Sequence, residues 1–327
     1  MKRQAQARNG CLRRSGNSMA HAGKVWIGIS GWTYPPWRGV FYPKGLPHKK
    51  ELSYAAATFN SVEINGTFYS LQRASSFAEW ARATPDDFCF ALKGSQFITH
   101  MKRLKDVKRP LANFFASGML RLGKNLGPIV WQFSRNFPFD EALFADFFGL
   151  LPEDTEQAAV LARLHDQRLK TRAWMKVDVK RKLRHAVEVR NESFRSQRFI
   201  ELLRRNNVAL ACSDGAGLPH FMEVTADFVY CRLHGAQELY ASGYSDGELS
   251  VWAQRVEAWS RGEESSEPGR VGKSNTTKHK KRDVYVYFDN DSKVRAPFDA
   301  MKLRELLTEM REQKPRAEIG AGANTRP

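Results

Sequence analysis

AVEVRNESFRSQRFIELLRRNNVALACS, residues 186–213, holds a complete structural unit in 28 residues. Ala186–Arg190 is a short run with Val187 and Val189 on one face and Glu188 and Arg190 on the other, the two-residue period of a strand. Ser196–Asn206 then places Phe199, Ile200, Leu202 and Leu203 at the three- and four-residue spacing of a helix. Val208–Ser213 is a second apolar run, again of strand length. A helix between two such strands joins parallel neighbours by a right-handed crossover.

The same alternation extends in both directions. Strands are predicted at Val25–Ser30, Ser61–Phe68, Phe88–Lys93, Ile129–Phe133, Ala186–Arg190, Val208–Ser213, Phe228–His234 and Val284–Asp289. Helices are predicted at Lys50–Phe59, Ser76–Ala83, Leu111–Leu122, Glu141–Leu150, Ser196–Asn206, Glu248–Ser260 and Ala300–Glu312, with Asp246 and Asp299 as N-caps. Only Gly215–Asp227 has a weak helical pattern. Eight strand–helix units over about 285 residues fit a (β/α)8 TIM-type barrel, whose usual size is about 250. An open doubly wound sheet would bring a glycine-rich phosphate turn after its first strand. The turn here, Gly28-Ile29-Ser30-Gly31-Trp32, has neither that pattern nor a phosphate-loop lysine. The expectation is therefore one α/β domain, a barrel over residues 24–312. Residues 1–23 are read as a disordered basic extension, about 152–184 and 261–282 as insertions, and 313–327 as a disordered tail.

Composition narrows the class. The chain has 327 residues, 42% hydrophobic and 12% aromatic, enough for a sizeable core and too much for a disordered or fibrous protein. No apolar run approaches the ~20 residues of a membrane span. Ala142–Leu151 comes nearest and is broken by Asp146 and Gly149. Cys11, Cys89, Cys212 and Cys231 form no close pair, which reads as reduced thiols in a cytoplasmic protein. The net charge of +17 is concentrated. Residues 1–23 carry five bases and no acid, 163–184 nine bases against two acids, and 261–282 seven against three. Basicity on appendages of this kind is expected to give weak, non-specific, salt-sensitive nucleic-acid binding at most.

Barrel active sites lie at the C-terminal ends of the strands. There the sequence delivers Ser30 and Trp32, then Glu63 with Asn65, Lys93 followed by His100, Gln132, Glu188 with Arg190, Ser213-Asp214, Arg232 with His234, and Asp289-Asn290-Asp291. Charges in strands covered on both faces must pair or line a polar cavity. A single such residue is as often a structural ion pair as a catalytic group, but polar ends on all eight strands are the form a ligand site takes.

These segments carry a family resemblance. Gly28-Ile-Ser-Gly-Trp32 with Trp37 and Phe41-Tyr42-Pro43, Phe59-Asn-Ser-Val-Glu63-Ile-Asn65-Gly-Thr-Phe68-Tyr69, Phe90-Ala-Leu-Lys93 with Ile98-Thr99-His100, Gly127-Pro128 with Gln132, Val187-Glu188-Val-Arg190, Tyr230-Cys-Arg232-Leu-His234-Gly235 and Phe288-Asp-Asn290-Asp291 together resemble the YecE-like family, over about residues 24–308. The resemblance implies a TIM-type barrel and no established activity. Its outline is similar to metal-dependent barrels of the xylose isomerase and endonuclease IV type, a likeness of fold that carries no function. The chain departs from the family pattern in its N-terminal extension and basic insertion, in Ser134 where a proline more often stands after the glutamine strand, and in Asp289 where asparagine is common.

The residues themselves point to general acid–base chemistry on a small anionic or phosphorylated substrate, of hydrolase (phosphodiesterase-like) or isomerase type. Glu63, Lys93, Glu188, Asp214 and His234 are the catalytic candidates. Trp32, Asn65, Tyr69, His100, Gln132, Arg190, Arg232, Tyr240 and Asn290 are the substrate-binding candidates, with Arg190, Arg232 and Lys93 suited to a phosphate or carboxylate. A divalent metal would draw on Glu63, Glu188, Asp214, His234 and His100, although the three neighbouring cations and the lack of a metal-binding spacing count against it. Trp37 and Tyr244, also near the expected mouth, read as packing. The alternative is a non-catalytic protein that binds nucleic acid or an anionic ligand through its basic appendages.

Overall fold

The structure, a computed structural model, describes residues 22–264, 270–271 and 281–321. Residues 1–21 of the expected extension and most of the insertion at 261–282 lie outside the described residues. The eight strands are β1 (Val25–Ser30), β2 (Ser61–Ile64), β3 (Cys89–Lys93), β4 (Leu126–Gln132), β5 (His185–Glu188), β6 (Ala209–Asp214), β7 (Phe228–Leu233) and β8 (Asp283–Phe288). They form a closed barrel in sequence order, every neighbour parallel and β8 returning to β1.

The helices are α1 (Glu51–Thr58), α2 (Gly66–Tyr69), α3 (Ala74–Arg82), α4 (Lys108–Ala116), α5 (Glu141–Leu150), α6 (Thr155–Ala162), α7 (Gln197–Arg205), α8 (Asp246–Ser260) and α9 (Ala296–Ala321). Several differ from expectation for local reasons. The second strand stops at Ile64, and Gly66–Tyr69 turns into the short α2. α8 is capped by Ser245, whose hydroxyl and Glu248 form a reciprocal capping box, so Asp246 lies one position inside the helix. Asp299 lies in the first turn of α9, which begins at Ala296 and runs to Ala321, past the expected start of a disordered tail at residue 313. The insertion at 152–184 is folded onto the body: α6 is capped by Asp154, Leu169 is buried, and the Trp174 amide donates to the Ala116 carbonyl at 2.8 Å.

Two packed layers follow from the strand period. Outward residues join the helices in a large apolar layer that includes Ile27, Val62, Leu92, Trp131, Val187 and Val286. Inward residues form a second cluster, in which Ala91, Ala186, Ala209 and Ala211 of β3, β5 and β6 face the aromatics Phe228, Tyr230, Tyr285 and Tyr287 of β7 and β8, with Trp26 packed against them. Small residues opposite large ones keep the barrel filled. Tyr230 and Tyr287 lie 5.3 Å apart, and the Tyr287 hydroxyl meets Ser61 Oγ at 2.6 Å. The interior is thus plugged below the C-terminal mouth.

The wall is not uniform. Residues 215–227, all described, carry no helix. Phe221, Met222 and Val224 cover that stretch instead, and Thr225 Oγ1 accepts from the Leu210 amide and donates to the Val208 carbonyl. Beside it the β5–β6 ladder is short, pairing Ala186 with Ala209 and Val187 with Leu210, whereas β7 and β8 pair from Phe228 through Leu233. Among the described residues no helix is long and apolar enough to cross a membrane.

Gly94 fixes how β3 ends. A Cβ there would stand 2.1 Å from the Trp131 ring, a buried indole wedged between Phe114 and Phe147. Gly94→Ala should therefore destabilise the protein by about 1–3 kcal/mol, the usual cost of overpacking, measured by urea unfolding. A variant as stable as the parent would show that the indole is loosely held.

Candidate active site

At the C-terminal end the strand period puts one inward polar residue on each strand: Ser30, Glu63, Lys93, Gln132, Glu188, Ser213, Arg232 and Asp289. Register aligns them, with Ser30 beside Glu63, Gln132 beside Glu188 and Ser213 beside Arg232.

Arg232 is the hub. Its guanidinium is fully enclosed and reaches three carboxylates: Glu63 Oε1 at 2.7 Å, Glu188 Oε2 at 2.6 Å and Asp289 Oδ2 at 2.9 Å. The other lone pairs are also engaged. Glu63 accepts from Ser30 Oγ at 2.7 Å and from the Tyr230 hydroxyl at 2.6 Å. Glu188 accepts from Gln132 Nε2 at 3.0 Å and from Arg190 Nε at 2.8 Å. His234 sits between two of the acids, with Nδ1 3.0 Å from Asp289 Oδ2 and Nε2 3.3 Å from Glu188 Oε1. Burial disfavours charge on Glu188, but Arg190, Arg232 and His234 outweigh it and hold the carboxyl well below its ordinary range. Asp289 is likewise held low against its burial by Arg232, His234 and Lys93.

At the rim of this sealed tier stand further groups, the buried Lys93 and the half-buried Arg190, His100 and Tyr240. Lys93 is 7% exposed, and its ammonium lies 4.4 Å from the centre of the Phe68 ring, with no carboxylate in ion-pair contact among the described residues. Burial first, then Arg232, pushes that amine below its ordinary range, against the pull of Asp289, Glu63 and Glu188. The Arg190 side chain is 13% exposed and lies beside the Tyr240 ring. His100 packs edge-on to Phe68, its Nδ1 2.8 Å from Thr99 Oγ1, and burial, Lys93 and Arg190 lower its pKa. Tyr240 has φ 65°, a left-handed backbone unusual for a bulky residue, and is held edge-on over His234. The turn that leads to it needs Gly235: φ there is 105°, and a Cβ would meet the Glu238 carbonyl at 2.6 Å.

Glu63, Lys93, Glu188, Arg190, Arg232, His234, Gln132, His100 and Tyr240 therefore converge on the mouth. Five expected residues do not, and two of these face outward. Asp214 is the outward neighbour of Ser213, and its carboxylate accepts from Trp252 Nε1 of α8 at 3.2 Å. Asn290 is also outward; its Nδ2 donates to Asp299 of α9 at 2.7 Å and to the Ser242 carbonyl. Arg232 is present but enclosed, so it does not offer itself to a ligand. Trp32, Asn65 and Tyr69 line a separate cleft of about 590 Å3 beside the mouth, between the loops after β1 and β2. Within it Asn65 Oδ1 is buried without a hydrogen bond, Trp32 stands edge-on to Trp80, and Tyr69 is 69% exposed on the rim. Trp37 and Tyr244 are buried packing residues.

Asp289 is the residue that sequence reasoning passed over. It lies two positions after Tyr287 and four after Tyr285, so the two-residue period alone marks it as inward and Asn290 as outward. Asp291 was also unassigned. Burial, then the neighbouring Asp289, pushes its carboxyl up to about 6. Tyr34, whose hydroxyl donates to the Ser30 carbonyl at 2.6 Å, lines the adjacent cleft.

The residues do not suit a divalent metal. The three inward carboxylates already converge on the Arg232 guanidinium, which takes the place a cation would need, and Asp214 faces the helix layer. Among the described residues no group of three or more His, Cys, Asp or Glu side chains is arranged to hold an ion.

Comparison with known proteins agrees with this architecture. The family model described as "Protein of unknown function DUF72" matches residues 26–321. The chain is 30% identical over 79 residues to UPF0759 protein YunF of Bacillus subtilis, a match covering 24% of this chain and 27% of that protein. It is 28% identical over 128 residues to UPF0759 protein YecE of Escherichia coli, covering 35% of this chain and 44% of YecE. The matched stretches thus span less than half the length of these relatives. A crystal structure of a DUF72 family protein from Thermotoga maritima is similar with a TM-score of 0.66 and 26% identity, covering 87% of this chain and 99% of that one. One from Enterococcus faecalis, with a TM-score of 0.63 and 17% identity over 87% and 95% of the two chains, shares the fold.

Removing Arg232 would strand three buried carboxylates. Arg232→Met should cost about 3–5 kcal/mol in denaturant unfolding, and Arg190→Met clearly less, because its side chain is 13% exposed and pairs with one carboxylate rather than three. Equal losses would place the two arginines in one environment. Asp291 gives a pH signature. Its pKa is raised on folding from 3.8 to about 6, so its contribution to stability is full below about pH 4 and is lost as pH rises through about 6. Asp291→Asn should therefore gain on the parent by about 1–2 kcal/mol near pH 7.5, a figure reduced for the group's partial exposure, and should lose that advantage near pH 4. Parallel stability curves across this window would refute the assignment.

Proposed function

The chain belongs to the DUF72 family, and from that premise we propose that it is an enzyme acting on a small anionic, carboxylated or phosphorylated substrate by general acid–base chemistry at the C-terminal mouth of the barrel. The observation that carries this reading is the division of charge. All three inward carboxylates are engaged by Arg232, while the buried Lys93 has no carboxylate in ion-pair contact among the described residues and the Arg190 side chain is 13% exposed. A purely structural lattice has no need of a buried ammonium without an acid partner, and burying one is costly.

The chain's own groups supply what such chemistry needs. Arg190, oriented by Glu188, presents a planar cation suited to a carboxylate or phosphate. His100, lowered by burial and by its cationic neighbours, stands as a neutral imidazole able to take a proton. Asp291, with a carboxyl pushed up to about 6, is poised to give one. The cleft at Trp32, Asn65 and Tyr69 would take the uncharged part of a substrate, with its unpartnered amide oxygen as an acceptor. Such a site suits an isomerase or a hydrolase. The nucleic-acid reading has less support. Two of its three basic segments lie mostly outside the described residues, and the third, 163–184, is folded against the body.

The test is thermal unfolding with inorganic phosphate and with glycerol phosphate. Saturating ligand should raise Tm by about 2–4 °C, and Arg190→Met should abolish the rise while the variant stays folded. A parent protein whose Tm ignores every small anion would overturn the proposal.

A further inference from the structure

We infer that the Lys93 amine is a nucleophile that forms an imine with a carbonyl-bearing small anion, so that the substrate class is a keto or aldehyde phosphate or carboxylate. The inference rests on the anion-binding reading of the same mouth and goes beyond it by giving Lys93 a covalent role.

Three observations carry it. First, Lys93 has no carboxylate in ion-pair contact among the described residues. Glu63, Glu188 and Asp289 are bound to Arg232, Arg190 and His234 at 2.6–3.3 Å, and the Lys93 ammonium instead faces the ring of Phe68. A lysine that served only to balance charge would sit on a carboxylate. Second, its position is fixed. Lys93 ends β3, its carbonyl accepts from Thr67 Oγ1 at 2.7 Å, and Gly94 behind it is pressed on Trp131. Third, the surroundings favour the free amine. Burial and Arg232 both oppose the ammonium, the combination that activates a lysine for attack at neutral pH. Arg190 at the same mouth supplies a cation for the substrate's anionic group.

The chemistry balances without any further reagent. The nitrogen lone pair attacks the carbonyl carbon, and the C=O π pair moves to oxygen. Oxygen takes up a proton and nitrogen loses one, giving a carbinolamine. The nitrogen lone pair then expels the hydroxyl group, which leaves as water after protonation, and an iminium remains. His100, beside Phe68, is placed to exchange protons in this sequence.

The test is reductive trapping. The full-length protein is incubated at neutral pH with dihydroxyacetone phosphate and sodium cyanoborohydride, then analysed by intact mass and peptide mapping. One adduct should dominate, on Lys93, labelled several-fold more than any exposed lysine and suppressed by inorganic phosphate. Lys93→Arg should lose the adduct, while the phosphate-induced rise in Tm is read on the parent protein. Should that variant fail to fold, the peptide map of the parent protein decides the matter. Label spread over surface lysines with Lys93 untouched, in a protein that still shows the phosphate rise, would overturn the imine and leave the anion site standing. Absence of both adduct and phosphate rise would overturn both.

Discussion

One guanidinium compensates three carboxylates at the top of the barrel, and much else follows from that. Arg232 can be sheltered from water only because Glu63, Glu188 and Asp289 surround it, and those acids can be sheltered only because it is there. Each group alone would face a desolvation cost of several kcal/mol. The arrangement is therefore cooperative. It fixes the relative heights of β2, β5, β7 and β8, whose registers bring the four side chains to one level. It also leaves the proposed chemistry to groups that Arg232 does not hold, Lys93, Arg190, His100 and Asp291.

Much of this was legible in the sequence because the determinant is periodic. Eight apolar runs separated by helical patterns imply a closed parallel barrel, and β1 and α5 have the bounds their residue patterns suggest. The inward set was legible for the same reason, since Glu63, Lys93, Glu188 and Arg232 occupy strand positions where a charge must find a partner. The reading went astray where polar residues at strand ends were taken as inward without following the two-residue period to them. Asp214 and Asn290 are polar and end strands, yet the pleat turns both outward, onto Trp252 and Asp299. Asp289 was passed over because two more polar residues, Asn290 and Asp291, follow it directly. That Arg232 is enclosed could not be read from sequence spacing, because it depends on how three distant strands close around it.

The aromatic interior has a part in the site. Tyr230 belongs to the plug and also donates its hydroxyl to Glu63. Tyr287, one layer down, meets Ser61. Apolar packing below and ion pairing above thus share side chains, which keeps water from entering the charged tier from beneath and keeps its hydrogen bonds in a low-dielectric setting.

The short β5–β6 ladder gains its meaning from this lattice. A barrel is only as closed as its weakest seam, and here the seam lies next to the one crossover built without a helix. Glu188 stands on one side of it and Arg232 on the other, bound at 2.6 Å. The ion pair is a clasp that spans the gap where backbone hydrogen bonds run out. Protonating or displacing one end of that clasp would loosen the wall as well as the site, so the mechanical closure of this barrel and the electrostatics of its mouth are a single property, inherited and lost together.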